Sequence, residues 1–197
     1  MTEQVLEQEQ LAGGSRKLAD LFDVAELCVS GEWREMLHMD DYRAEQVGDL
    51  FVERATWGRD TPDHALQNRI VVAAGHVWLR FWMLSSDQVI EKYYDADGRT
   101  LGIFAPICMP IERDEDNLHA RSLLLALWIA PDGRIGVLNE ALFDRSVQNG
   151  HLSVTDSEYA ELRIRKLTMA ISERQFPPAL IRNFELDLSE SEDDRNP

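Results

Sequence analysis

Residues 76–83, HVWLRFWM, carry the side chains best suited to chemistry. If this stretch is a β-strand, strict alternation places His76, Trp78, Arg80 and Trp82 on one face. A guanidinium offers a planar set of hydrogen-bond donors and an indole offers a stacking surface, so this face could bind an anionic or stacked ligand. The same pattern is typical of a barrel-lining or solvent-facing row whose rings cover the edge of the core. His76 and Arg80 are therefore candidate ligand-binding residues, and the structural alternative stays open.

No other local motif points to a particular reaction. The five histidines, at positions 38, 64, 76, 119 and 151, form no pair with metal-ligand spacing. The sequence contains no GxGxxG, no P-loop and no GxSxG. The acids of IERDEDN at 111–117 lack the glycine and distal glutamate of a calcium loop, so we expect a charged hairpin tip. Cys28 and Cys108 have neither zinc-type nor disulfide-framework spacing and are expected to be reduced thiols.

Length and charge limit the class of protein and of partner. The chain has 197 residues, of which 44% are apolar, as is typical of one globular domain with terminal additions. Its net charge of −16 repels phosphate backbones, so nucleic acid is not expected as a partner. Residues 185–197, ELDLSESEDDRNP, are expected to form an acidic, disordered tail. No basic and apolar leader opens the chain and no apolar run approaches about 18 residues, so we expect no membrane association and a cytoplasmic location.

The first 46 residues are expected to form a helical extension. Apolar residues recur at helical spacing from Arg16 to Gly31, and Trp33 with Met36 suggests a second short helix. The apolar face of such helices must be covered. It could pack on the rest of the chain or form a surface for a homo-oligomer or a protein partner, and the sequence leaves both open.

Residues 47–184 are expected to form an antiparallel β-barrel that ends in helices. β-favouring stretches follow one another, and the turns Asp95–Gly98 and Pro131–Gly133 have hairpin composition. Residues 139–148 then have helical spacing, and Thr155 with Glu158 has the spacing of a capping box at a helix start. The expected fold class is α+β, a small antiparallel β-barrel with C-terminal helices and a helical N-terminal segment. The expected strands are residues 50–52, 69–73, 76–83, 89–94, 100–104, 108–112, 122–129 and 134–138.

Several motifs of this barrel region resemble a known family. In chain order they are YYDADGRTLGIFAPICMPIERDED, LLLALWIAPDGRIGVLNEALFDRSVQNGHLSVTDSEYAEL and QFPPALIRNF. They resemble the FomD-like and nucleoside tri- and diphosphatase family of small β-barrel phosphohydrolases. The resemblance implies a metal-dependent hydrolase in which carboxylates bind Mg²⁺ or Mn²⁺, and the metal ion neutralises a phosphate and activates water.

The residues that would carry this implied chemistry are replaced. Alignment of the W-x-x-PDG stretch with the family pattern places six expected ligand positions, of which only a serine and an asparagine keep a side-chain oxygen. Leucine and alanine offer no hard oxygen ligand, so we expect hydrocarbon to fill the metal pocket and no metal to bind there. The six positions are Pro106, Ser122, Leu124, Ala126, Asn139 and Leu142.

Two functions remain open at this point. The first is a divergent barrel that has lost metal-dependent hydrolysis, uses no cofactor and serves as a ligand-binding, regulatory or interaction module. Its ligand would be a nucleotide or small anion held by His76, Arg80 and Arg121, the last at the entry of the altered strand. The second is an active hydrolase of nucleotide or nucleotidyl phosphate or phosphonate esters. It would use a metal-independent mechanism around His76, Arg80 or Lys92, or Mg²⁺ or Mn²⁺ on displaced acids among Glu112, Asp114, Glu140 and Asp144.

Overall fold

The computed structural model describes residues 27–114 and 117–186, in which the strands precede the α-helices, as predicted for residues 47–184. A 3₁₀ helix, Glu32–Arg34, follows the first strand. The α-helices are α1 (Glu140–Gln148), α2 (Val154–Ser172) and α3 (Ala179–Arg182). The strands are β1 (Leu27–Val29), β2 (Met39–Val47), β3 (Leu50–Trp57), β4 (His64–Leu66), β5 (Arg69–Val72), β6 (Val77–Met83), β7 (Gln88–Tyr94), β8 (Thr100–Cys108), β9 (Glu112–Asp114), β10 (Asn117–Ile129) and β11 (Ile135–Leu138).

Nine of the described strands form one antiparallel sheet. Its main path runs β1-β10-β8-β7-β6-β3-β2, and β9 and β11 also pair with β10. β4 and β5 form a separate two-stranded hairpin. The sheet curls into a half-barrel, with β1 and β2 at the two ends of the path. The predicted α+β class with a strand-rich core is confirmed, and the predicted barrel is a half-barrel.

The two faces of the sheet bury different cores, because side chains alternate along each strand. One face, which we call the helix-side core, is mainly aliphatic and packs against the three helices. The other, which we call the aromatic core, packs against the 3₁₀ helix. The helix-side core includes Leu79, Phe81, Ile90, Ile103, Leu123, Leu125, Leu127, Phe143, Leu167 and Ile181. The aromatic core includes Trp33, Trp57, Trp78, Tyr93, Phe104, Ala126 and Trp128.

The helical prediction for residues 1–46 is wrong for most of the part that the structure describes, although the 3₁₀ helix Glu32–Arg34 lies where a second short helix was predicted. β1 pairs with residues 119–121 of β10, and β2 pairs with β3. Local apolar spacing suggested a helix, but pairing with other strands decides the conformation here. Trp33 is 0% exposed, so this segment packs within the chain. Most of the helix predicted from Arg16, with its surface for a partner, lies outside the described residues. Residues 187–197 of the predicted tail also lie outside them.

The C-terminal helices agree with the sequence prediction except in their details. α1 begins and ends within one residue of the predicted bounds, and α2 begins one residue before the predicted start at Thr155. The N-cap of α2 is Ser153, whose hydroxyl accepts a hydrogen bond from the Asp156 amide at 3.1 Å, so the cap lies two residues before the predicted Thr155. α3 was not predicted. Within the described ranges, no helix has both the length and the apolar character needed to cross a membrane.

Lys92 of β7 attaches the last helix to the sheet. Its Nζ donates to the carbonyl oxygens of Ile181, Arg182 and Phe184 at 3.0, 3.1 and 2.7 Å. Burial lowers the pKa of Lys92, because the charged ammonium loses contact with water. The side chain considered for metal-independent catalysis is therefore engaged by main-chain carbonyls.

Candidate functional site

Arg80 lies at the centre of a buried charge cluster on the face of the sheet that carries the aromatic core, which we call the inner face. Its Nε donates to Glu91 Oε1 at 2.8 Å, and its Nη2 lies 2.7 Å from the same oxygen. Its Nη1 lies 2.7 Å from Glu32 Oε1 and 3.9 Å from Glu53 Oε2, and donates to the Val29 carbonyl at 3.3 Å. Only 1% of the Arg80 side chain is exposed, so the chain's own carboxylates enclose the guanidinium.

Strand pairing positions this cluster. Glu53 of β3 and Glu91 of β7 are the cross-strand partners of Arg80 on either side of β6. Burial alone would lower the pKa of Arg80, but Glu91, Glu32 and Glu53 raise it well above its ordinary value. The Tyr93 hydroxyl also donates to Glu91. The guanidinium therefore stays charged, and the buried carboxylates are compensated rather than isolated.

Glu53 has neutral donors in addition to the arginine. It is fully buried and accepts hydrogen bonds from the Gly31 amide at 2.6 Å, the Tyr42 hydroxyl at 2.8 Å and Trp82 Nε1 at 2.6 Å. Burial, and then the charge of Glu53, raises the pKa of Tyr42, so its hydroxyl remains a donor. These contacts connect β2, β3, β6 and the turn after β1 through one carboxylate.

The 3₁₀ helix covers Arg80. The guanidinium carbon lies 4.4 Å from the centroid of the Trp33 ring, and Trp33 meets Trp78 edge to face at a centroid distance of 5.9 Å. Trp78 and Trp82 are only 1% and 0% exposed. These two rings therefore cover the core, as the structural alternative for residues 76–83 predicted. The ligand-binding role of Arg80 stays a prediction, and its burial under Trp33 counts against it.

The three predicted ligand-binding residues lie in separate settings. His76 precedes β6, and its Nδ1 is 3.2 Å from the Val71 carbonyl oxygen. Arg121 donates from Nη2 to Asp156 Oδ1 of α2 at 3.1 Å, and this hydrogen bond lowers the pKa of Asp156. Because α2 covers the helix side of the sheet, Arg121 is directed away from the inner face that holds Arg80. The structure does not bring the three side chains to one site.

The strand that would carry the metal-binding acids contains a β-bulge. The pairing of β10 with β8 shifts between Ser122 and Ala126, and Leu124 has a φ of +73°. The Leu124 amide donates to Ser122 Oγ at 3.2 Å, and Asn139 Nδ2 donates to the Leu124 carbonyl at 3.2 Å. The two expected ligand positions that keep a side-chain oxygen thus hold the bulge.

The altered positions do not fit a divalent metal. Ala126 is 1% exposed within the aromatic core, and Leu124 packs against the helix-side core, so the bulge separates positions expected on one face. Mg²⁺ and Mn²⁺ require several hard oxygen ligands, which a methyl and an isobutyl group cannot supply. The residues between these positions are also apolar, and the helix-side core contains Leu123, Leu125 and Leu127.

The displaced acids fall into separate groups. Glu140 and Asp144 of α1, with Glu161 of α2, line an open cavity of about 350 Å³. Glu112 lies in β9, with Oε2 3.7 Å from Nε2 of His119. Across residues 27–114 and 117–186, no three His, Cys, Asp or Glu side chains are grouped closely enough to hold a metal ion.

Cys28 and Cys108 meet in one buried cluster, although sequence spacing gave no sign of it. They come from β1 and β8, the two strands that flank β10. A hydrogen bond between them lowers the pKa of Cys28 and raises that of Cys108, and the charge of Arg80 favours the thiolate of both. Both cysteines are free.

A groove that the sequence analysis missed lies between two hairpins. The β4–β5 and β10–β11 hairpins border a cavity of about 690 Å³, lined by Arg69 and Ile70 from one side and by Arg134 and Ile135 from the other. The signal in the sequence is the Arg-Ile pair that directly follows each hairpin turn. Neither Arg-Ile pair predicts a groove by itself, because the groove forms only where the two hairpin turns lie next to each other in the fold.

Comparison with known proteins concerns the fold. No family model matches the sequence, and no curated protein matches it significantly. The structure of the phosphatase SC4828 with the non-hydrolysable nucleotide GPCP aligns over 77% of this chain and 83% of its own, with a TM-score of 0.59 and 12% identity. The complex of FomD with CDP aligns over 75% of this chain and 84% of its own, with a TM-score of 0.56 and 12% identity. A protein of unknown function, DUF402, from Rhodococcus sp. RHA1 aligns over 70% and 75%, with a TM-score of 0.49 and 15% identity.

The motifs of the sequence and the alignment of the structure indicate the same fold. The share of each chain that aligns with SC4828 and FomD is large, while the identity is low, so the similarity is one of architecture. The predicted resemblance is confirmed at this level: the chain shares its fold with the phosphatase SC4828 and with FomD.

Proposed function

We propose that this chain is a divergent FomD-like half-barrel that binds a nucleotide or small anion, does not hydrolyse it and needs no metal cofactor. Binding without turnover is the property of a regulatory or interaction module. The ligand class is supported by two proteins with this fold, since SC4828 is described with the nucleotide GPCP and FomD with CDP.

The observation that carries the proposal is the chemistry of β10. Metal-assisted hydrolysis needs several oxygen ligands, so that the ion can neutralise a phosphate and activate water. At the expected ligand positions this strand presents hydrocarbon at Leu124 and Ala126. The side-chain oxygen of Ser122 and the amide of Asn139 are used to hold the bulge. The side chains of the altered strand therefore favour packing over ion binding.

The alternative is a hydrolase whose acids have moved to α1 and α2. The observation that favours it is the cavity of about 350 Å³ that Glu140, Asp144 and Glu161 line together, next to Leu125 of β10. In that case Mg²⁺ or Mn²⁺ would be required, and the substrate would be a nucleotide or nucleotidyl phosphate or phosphonate ester. Arg165 lines the same cavity and would compete with a metal ion for these acids.

Phosphate release and calorimetry separate the two functions. Purified protein is screened with malachite green against nucleoside di- and triphosphates in Mg²⁺ or Mn²⁺, and titrated with CDP and with Mn²⁺. We expect no phosphate release above the blank, heat on addition of CDP and no heat on addition of Mn²⁺. Turnover that EDTA abolishes would overturn the proposal.

Matched variants then identify the site of any turnover. Glu140→Gln and Asp144→Asn remove charge from the cavity, whereas Glu158→Gln removes a charge from an exposed position of α2 that does not line it. Turnover lost in the first two variants and retained in the third would establish the alternative.

A further inference from the structure

The groove between the two hairpins is a preformed feature of the fold. Residues 67–68 both have positive φ, +50° and +62°, which is the geometry of a tight two-residue hairpin turn. The opposite turn is closed by a hydrogen bond from the Ala130 amide to the Arg134 carbonyl at 2.9 Å. The hairpins touch where Gln67 packs over Gly136, at which an added Cβ would lie 3.9 Å from the Gln67 side chain. Both walls are therefore fixed by main-chain geometry.

The groove carries a local positive charge. Arg69 and Arg134 line it, and Arg134 is 81% exposed with its Nε 2.8 Å from Asp132 Oδ2. Hydrogen bonds from Arg134, the main-chain one first, lower the pKa of Asp132, so this carboxylate is charged and offsets one arginine. Two arginines and one aspartate leave one net positive charge, in a chain whose net charge is −16. An anion is therefore attracted to this groove although the protein as a whole repels it.

Apolar surface adjoins this charge on both sides. Ile70 is 46% exposed and Ile135 is 40% exposed, and each directly follows a groove arginine. Trp128 and Ala130 of the β10–β11 hairpin also line the groove. A mixed lining of aliphatic side chains and a few charged donors suits a small molecule with an anionic end and a ring.

We propose that this groove binds a nucleoside phosphate, with the phosphates between Arg69 and Arg134 and the ring against Ile70 and Ile135. The ligand class rests on the proposed function, and the groove adds the place of binding. A guanidinium presents paired N–H donors that match phosphate oxygens, and both arginines are exposed, so little desolvation opposes binding. The groove is a different site from the one around the buried Arg80. The nucleoside phosphate binds here without cleavage of any covalent bond.

Calorimetric titration of the full chain with CDP tests the groove, because some substitutions are expected to weaken CDP binding and another to strengthen it. Arg69→Ala and Arg134→Ala are each expected to weaken binding about 10-fold, and the double variant about 100-fold, because each loses charge-assisted hydrogen bonds to phosphate. Asp132→Asn is expected to tighten binding about 3-fold, because it removes a repelling charge while its amide oxygen can still accept from the Arg134 main chain.

The matched control is Arg99→Ala. Arg99 lies at another hairpin turn, is 75% exposed and is paired with Asp97 at 2.6 Å, but does not line the groove. Its loss is expected to leave the CDP affinity unchanged. The melting temperature of each variant shows that it is folded.

The outcomes distinguish the groove from the wider function. If CDP binds the wild type and all the arginine variants with one affinity, the location is wrong and the proposed function stands. If neither CDP, GDP nor pyrophosphate binds the wild type, the groove and the ligand class both fail. Pyrophosphate binding as tight as that of CDP would overturn the ring contact with the isoleucines.

Discussion

Replacement of Arg80 by methionine tests whether the buried charge cluster holds the inner face of the sheet together. The three carboxylates would respond differently. Glu32 is 19% exposed and can reach water, and Glu53 keeps its three neutral donors. Glu91, only 7% exposed, would lose both guanidinium contacts, at 2.7 and 2.8 Å, and keep the hydrogen bond from the Tyr93 hydroxyl. The cost therefore falls mainly on Glu91.

The expected cost is large compared with the stability of a domain. Removing one partner of a buried ion pair costs about 3–5 kcal/mol, because a charge is left in the interior without compensation. A domain of this size is typically stable by about 5–15 kcal/mol. Urea unfolding at neutral pH measures the change in the free energy of unfolding. The control is Arg99→Met, which breaks an exposed pair with Asp97 and is expected to cost less than about 1 kcal/mol.

A second substitution separates a stranded charge from simple loss of packing. Addition of Glu91→Gln to Arg80→Met is expected to restore about half of the loss, because it removes that charge. A loss below about 1 kcal/mol in Arg80→Met at an unchanged m value would refute the reasoning, as would a double variant no more stable than the single one. If Arg80→Met does not fold, Arg80→Lys keeps the charge without the paired contacts and is expected to lose about 1–3 kcal/mol.

Three further substitutions test other contacts. At Gly102, whose φ is +155°, an added Cβ would lie 2.2 Å from the Trp128 ring, so Gly102→Ala is expected to cost about 3 kcal/mol in urea unfolding, and an unchanged midpoint would contradict this. Lys92→Met is expected to speed amide exchange in residues 181–186. Because burial lowers the folded-state pKa of Lys92, the wild type also gains stability as pH rises from that lowered pKa towards 10.5, and the variant lacks this gain. Arg121→Ala is expected to cost less than about 1 kcal/mol near neutral pH. That difference should vanish as pH falls from 3.8 through the lowered pKa of Asp156, because protonation ends the pair, and a difference that persists at about pH 2 would contradict the assignment.

Sequence patterns predicted the elements whose own residues decide their conformation. The stretches at 76–83 and 89–94 are rich in β-branched and aromatic residues, and the strands Val77–Met83 and Gln88–Tyr94 agree with them within one residue. β2, MDDYRAEQV, was missed because it is an edge strand whose side chains are mostly exposed and polar, so it shows no apolar alternation. Its conformation depends on pairing with β3, which no window of local sequence contains.

In the candidate site, too, local residues could be predicted from the sequence, whereas contacts between distant strands could not. Arg80 stood out by its chemistry, but its partners Glu53 and Glu91 are set by the register of three strands, which spacing along the chain does not give. The hydrocarbon at Leu124 and Ala126 could be predicted from the family resemblance, whereas the bulge could not, since leucine carries no preference for positive φ. The groove depends on two turns that are separated in sequence and adjacent in space.

The pairing of β1 with β10 has a consequence for synthesis of the chain. Leu27 lies opposite Arg121, so the first described strand waits for a partner made about 90 residues later, and such distant contacts slow folding. The 3₁₀ helix with Trp33 directly follows β1, and the aromatic core to which Trp33 belongs also contains Ala126 and Trp128 of β10, so this core is complete only after β10 has been synthesised. A nascent chain that is stalled before β10 would therefore present several unburied tryptophans at once, which makes it a natural client for a chaperone that shields apolar surface.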